Sequence, residues 1–232
     1  MRDWSRTAEQ MMLAAVESKI RVLAVTSVHS GSGVSTAARG LAVACARSGR
    51  KTLLIDLTAT VQPADLAGAW SPGAPLPPDA VRSSDDGLSV LTVVPTSTNR
   101  TLFGNVELLQ KVFQRDLAGF ATIIVELPAV GNEEAERLNP VAAARAADAV
   151  VLVALTGLTT RDELSDGTQR LRQVGATIAG IVLNDRYCAT LGEEIADVSY
   201  TRLGRVVPRL ADWIAQKALA NSFLNRNFRI VR

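Results

Sequence analysis

The sequence predicts a doubly wound α/β domain, with a mostly parallel sheet and helices on both faces. Three observations predict it. Short β-branched apolar runs recur along most of the chain, they alternate with helical periods, and a glycine loop and two acidic residues fall at the ends of three of them. Buried parallel strands joined by crossover helices read in this way. A length of 232 residues, 47% hydrophobic and 21% charged, suits one such domain with a sizeable core.

The elements follow in order. Trp4, Ala8, Met11, Met12, Ala15 and Val16 stand at helical spacing, so residues 1–20 read as an amphipathic helix. Arg21 to Ser27 is a strand that runs into the small-residue loop HSGSGVST, and the following helix closes at Gly49. Lys51 to Leu57 is the second strand. From Thr58 to Asp86 the chain is rich in Pro, Ala, Gly and Ser and reads as a long loop, with one short helix around Pro63 to Ala69. Strands follow at Leu88 to Val94, Phe120 to Leu127, Ala149 to Leu155 and Ile178 to Asn184. Helices are expected at Val106 to Leu117, Asn139 to Ala147 and Thr160 to Val174. The expected organisation is the helix at 1–20, the α/β domain at 21–198, and a C-terminal helix with a basic tail at 199–232.

Composition excludes several functions. A net charge of +2 and only 4% aromatics give neither an electrostatic footprint nor stacking platforms for nucleic acid. Cys45 and Cys188 lie far apart without a CxxC, so reduced thiols rather than a structural metal are expected. The charged N-terminus is not a signal peptide, and no apolar run approaches the roughly 18 residues of a membrane span.

The loop carries the chemistry. A strand, a glycine loop and a helix form a phosphate cradle when backbone N–H groups and the helix N-terminus converge. The usual ending is G-K-[ST], with the lysine on the terminal phosphates and the hydroxyl on magnesium. Here Gly31, Ser32, Gly33, Val34, Ser35 and Thr36 occupy the loop, and valine takes the lysine position. Gly-Ser-Gly before a helix is equally a common turn with a Ser or Thr cap. The loop alone leaves both readings open.

The longer pattern resembles a known family. VLAVTSVHSGSGVSTAARGLAVACARSGRKTLLIDL is similar to the opening of the bacterial polysaccharide-associated tyrosine kinases, the ATPase domain that works with capsular and exopolysaccharide co-polymerases. These are P-loop proteins related to the Min/Par cell-division and partition ATPases. FATIIVELPAV resembles their second acidic strand, which ordinarily ends Asp-x-Pro-Pro. DDGLSVLTVVP resembles the strand between these pieces, and ADAVVLVALTGLTTRDELSDGTQRLRQVGATIAGIVLND their later strand-helix-strand unit, with its Thr-Thr and Leu-Asn landmarks. The likeness runs from Val22 to Asp185.

The resemblance implies a nucleotide site at His29 and Gly31 to Thr36 and a magnesium site at Ser35, Asp56 and Glu126, both vestigial. The departures from the family make them so. Val34 replaces the loop lysine, Thr58 the second carboxylate of Asp-x-Asp, Glu126 the later aspartate, and Ala129 the second proline. Losing one electrostatic contact to the developing charge commonly costs about 2.7–4 kcal/mol, or roughly 100- to 1000-fold in rate. Three losses imply no catalytic residues, no expected cofactor, and at most weak Mg-ATP or Mg-ADP binding. His29 stands five residues before Val34, where Min/Par relatives carry a lysine that reaches a dimer partner's nucleotide. It reads either as a substitute cation or as an exposed polar loop residue.

Family features are also missing at the two ends. The N-terminal helix lacks the Glu-x-x-Arg-x-x-Arg spacing of the family's ring contacts, and Tyr187 and Tyr200 form no C-terminal tyrosine cluster. Leu210, Trp213, Ile214, Lys217 and Leu219 lie along one expected helix. Phe223, Phe228 and Ile230 then alternate with Arg226, Arg229 and Arg232, a pattern suited to a partner or to anionic lipid. The implied function is an impaired pseudokinase-like regulator or scaffold in polysaccharide polymerisation and export. It would be cytoplasmic and peripheral at the inner membrane through a co-polymerase or export protein, with a homodimer in view. A divergent magnesium-dependent kinase or ATPase and a Min/Par-type localisation factor are the rival readings.

Overall fold

A computed structural model describes residues 4–59, 70–84, 87–94, 96, 99–131, 138–185, 191–203 and 207–221. The chain divides into two compact units, residues 1–186 and 187–232. The 198/199 boundary expected from the sequence falls inside a helix.

The first unit holds a seven-stranded sheet. Its strands are β1 (Val22–Ser27), β2 (Thr52–Asp56), β3 (Val81–Ser83), β4 (Ser89–Thr92), β5 (Thr122–Glu126), β6 (Ala149–Leu155) and β7 (Ile178–Asn184), in the spatial order β3-β4-β2-β5-β1-β6-β7. All pairs are parallel except β3 with β4. The helices are α1 (Trp4–Glu17), α2 (Val34–Arg47), α3 (Arg100–Phe103), α4 (Val106–Lys111), α5 (Pro140–Ala146) and α6 (Arg161–Gln173).

The central strands are apolar on both faces because both faces are covered. Leu23, Val25, Leu54, Ile124 and Val153 pack with Leu41 and Ala38 of α2, and Met11 and Met12 of α1 lie against them. On the other face Ala24, Leu53, Ile55, Ile123 and Leu152 pack with residues of α3 to α6, including Phe103, Leu109, Ala143 and Leu171. The expected α/β class is thus the observed one.

Two local expectations need correction. β3 lies within the stretch read as loop. A three-residue strand shows no periodicity, and pairing with β4 creates it, with Val81 opposite Leu91. The helix expected at Val106 to Leu117 is α-helical only to Lys111 and then widens into a π turn at Val112–Asp116. The Arg21 guanidinium collects the carbonyls around that turn, donating to Phe113 (2.8 Å), Leu117 (2.7 Å) and Phe120 (3.1 Å). The short helix expected around Pro63 to Ala69, Cys188, and the Phe/Arg pattern of the tail lie outside the described residues.

The second unit is a helical pair, α7 (Leu191–Leu203) and α8 (Pro208–Ala220). Small residues are buried between them, with Ala196 on α7 and Ala211, Ala215 and Ala218 on α8. Trp213, Leu219 and Leu210 of the expected helix are exposed on α8. Among the described residues no helix is long and apolar enough to cross a membrane.

Candidate anion site at the strand ends

The strand order places the carboxyl ends of β2, β5 and β1 side by side. The register sets Asp56 directly opposite Glu126, and Glu126 opposite Val25. A ligand crevice belongs at such a point, where successive connections diverge across the sheet. A cavity of about 530 Å³ opens there, between the loop after β1 and the ends of β2 and β5.

The loop supplies one wall. Gly31 (φ 81°) and Gly33 (φ 94°) both take left-handed backbone, which only glycine adopts without strain. Gly33 is the N-cap of α2, and no side chain caps that end. The first-turn N–H groups of Val34, Ser35 and Thr36 therefore face the cavity side without intrahelical acceptors. Ser27 Oγ and Ser32 Oγ each donate to the carbonyl of His29 at 2.7 Å. Asn184, buried at the end of β7, donates from Nδ2 to the Ser32 carbonyl at 2.9 Å. The sequence noticed Leu-Asn only as a landmark; its contact with the loop spans 152 positions and no local pattern announces it.

The acids supply the floor. Glu126 is only 4% exposed. Its Oε1 accepts from the Ser35 hydroxyl and, at 3.2 Å, from the Thr58 hydroxyl. Thr58 in turn donates to Asp56 Oδ1 from its backbone N–H (2.8 Å) and its hydroxyl (2.7 Å). One hydroxyl proton serves both acids, and the shorter contact is to Asp56. Burial pushes the Glu126 carboxyl above its ordinary range, and the Asp56 charge adds to the push, while the Ser35 and Thr58 donors oppose it.

Several expected site residues therefore meet: Gly31, Gly33, Val34, Ser35, Thr36 and Glu126 line one cavity, and Asp56 joins through Thr58. Ser32 turns inward to brace the loop and is buried. His29 does not line the cavity. Its Nε2 lies 3.2 Å from Glu163 Oε1, with both side chains nearly half exposed. Glu163 also closes the capping box of α6 with Thr160, and those hydrogen bonds with His29 hold its carboxyl at about 2. The exposed polar reading of His29 fits this placement better than the substitute cation.

Magnesium takes hard oxygen donors, commonly one or two carboxylates plus phosphate oxygens. Ser35, Asp56 and Glu126 fit in kind. Among the described residues no group of three or more His, Cys, Asp or Glu could hold a metal, so phosphate oxygens would have to complete the set. Among the described residues lining the cavity, Glu126 is the one acidic or basic side chain.

No protein-family model matches the chain. The tyrosine-protein kinase CpsD of Streptococcus agalactiae is 28% identical over 188 residues, covering 75% of this chain and 80% of the relative. The BceF tyrosine kinase domain superposes with a TM-score of 0.61 at 25% identity, over 78% of this chain and 75% of that domain. The septum site-determining protein MinD of Pyrococcus horikoshii, solved with Mg-ADP, gives a TM-score of 0.55 at 20% identity, over 84% and 76% of the two chains. The last of these bears on the fold alone.

Proposed function

We propose that this chain, a relative by sequence and by fold of the bacterial tyrosine-protein kinases, has lost phosphotransfer and works as a regulator or scaffold. The observation that carries this reading is a glycine-loop cavity without a cation in its described lining, floored by a buried glutamate. Phosphoryl transfer spreads negative charge over the transferred group, and catalysis is mostly the placing of positive charge against it. Val34 presents none, and Ser35 and Thr58 spend their hydroxyl protons on the chain's own carboxylates. His29, the replacement that the sequence offered, is engaged with Glu163.

The polysaccharide setting follows from the family resemblance. On this reading the chain docks at the cytoplasmic face on an inner-membrane co-polymerase or export protein, and the nucleotide and magnesium residues are vestiges. Incubating the purified chain with Mg-ATP and a tyrosine substrate is expected to give no phosphotyrosine above background. Transfer that disappears in Ser35→Ala would overturn the reading.

One observation favours a second reading. The site has both left-handed glycines and the Ser35 hydroxyl on the loop side and the Asp56 carboxylate at the end of β2, which a divergent magnesium-dependent ATPase or kinase would need. That reading expects thermal stabilisation by Mg-ATP that weakens in Ser35→Ala and Asp56→Ala.

A further inference from the structure

The loop's shape is set by side chains that point away from any ligand. A peptide unit is planar and trans, so the carbonyl of one residue and the N–H of the next point in opposite directions. Fixing a carbonyl therefore aims the following N–H. The Asn184 amide holds the Ser32 carbonyl, which aims the Gly33 N–H in the opposite direction within the peptide plane. The hydroxyls of Ser27 and Ser32 do the same for the His29 carbonyl and the Ser30 N–H. Ser30 and Gly33 both line the cavity.

Asn184 and Gly33 also interlock. A Cβ at position 33 would stand 2.5 Å from Asn184 Nδ2, so the amide occupies the space where any other residue would carry its side chain. The asparagine is 5% exposed, and its backbone carbonyl accepts from Thr156 N at 2.9 Å, which fixes the end of β7 to the start of the β6–α6 connection. A buried amide on a fixed strand end is a rigid support for a loop that has no lysine to order it around phosphate.

We propose that Asn184 is a positioning residue of the anion cradle: its amide fixes the Ser32–Gly33 peptide so that the Gly33 N–H is presented to a phosphate oxygen of a nucleoside diphosphate. The inference rests on the reading of the loop as a surviving phosphate cradle. It assigns to a side chain at the far edge of the sheet the geometric half of what a P-loop does, while the charge half is gone with Val34.

The test uses the full chain and Mg-ADP as the probe. The sequence contains three Ser-Gly pairs, at 30–31, 32–33 and 48–49, so labelling serine carbonyls with ¹³C and glycine nitrogens with ¹⁵N isolates the Gly33 amide among three signals. Wild type should show a saturable shift of that signal with Mg-ADP. Asn184→Asp, which keeps the shape and removes the donor, and Asn184→Ala should each weaken the apparent affinity at least about tenfold and abolish the Gly33 shift, with the remaining fold intact by thermal unfolding. A purely structural role would lower the unfolding midpoint and leave the Gly33 response of the folded protein unchanged, and that result overturns the assignment. A wild-type chain whose Gly33 signal ignores Mg-ADP at millimolar concentration overturns the cradle reading, and the role of Asn184 falls with it.

Discussion

The glycine loop after β1 and the acidic ends of β2 and β5 face each other across one cavity, yet they are held in different ways. The loop keeps its form: Gly31 and Gly33 remain left-handed, and Ser27, Ser32 and Asn184 hold its carbonyls. The acidic ends carry two carboxylates, Asp56 and Glu126, and both are engaged in contacts with Thr58 and Ser35. Shape in such a site belongs to the backbone and its buried braces, which the fold itself needs. Charge belongs to side-chain tips at the cavity, which can change while the backbone path stays the same. The two halves of such a site rest on different supports, and on the proposed reading the form here stands without the charge.

Restoring the charge should have the largest effect. Val34→Lys is expected to tighten Mg-ADP binding by roughly tenfold to a hundredfold, the range for a hydrogen bond to an ionised group. Calorimetric titration of the variant beside wild type checks it, and an unchanged affinity would mean that the loop's form has also drifted.

Breaking the form should cost stability as well as binding. Gly33→Ala meets both a left-handed backbone and the Asn184 amide at 2.5 Å, so a loss of about 1–3 kcal/mol is expected in urea unfolding. Gly40→Ala is the matched control inside α2, where a Cβ would meet only Ala8 at 3.9 Å. It should stabilise by about 0.5–1 kcal/mol.

The smallest expected effect concerns the floor. Because the folded state raises the Glu126 pKa, the folded protein holds that proton when the unfolded chain has released it. The stability contribution is therefore full below the ordinary carboxylate value and declines as pH rises through the raised one. Glu126→Gln removes the decline. Its unfolding free energy relative to wild type should improve as pH rises above the ordinary carboxylate value, and a flat difference would place the carboxylate in a better-solvated setting than its burial indicates.

Much of this was legible from residues. β1, β5 and β6 are buried at every position, so their apolar runs VLAV, IIV and AVVLVAL do not alternate, and such runs are visible one by one. The convergence of Ser35, Asp56 and Glu126 followed from their places at strand ends. The rest depended on tertiary partners. β3 exists through β4, and the π turn through Arg21, whose partners lie more than ninety positions away. α7, LGEEIADVSYTRL, carries too few apolar residues at a regular period to stand out, and it takes shape beside α8. Asn184 reads as an ordinary strand-end residue until the loop is seen resting on it. His29 was open between two roles because its partner, Glu163, lies on another element, where it closes the capping box that Thr160 begins.

The central claim is that the cavity holds phosphate-binding form without catalytic charge, and Mg-ATP turnover by the purified chain tests it most directly. Phosphate release followed over hours at saturating Mg-ATP should not rise above the protein-free rate. Release that scales with chain concentration and is lost in Asp56→Ala would contradict the account.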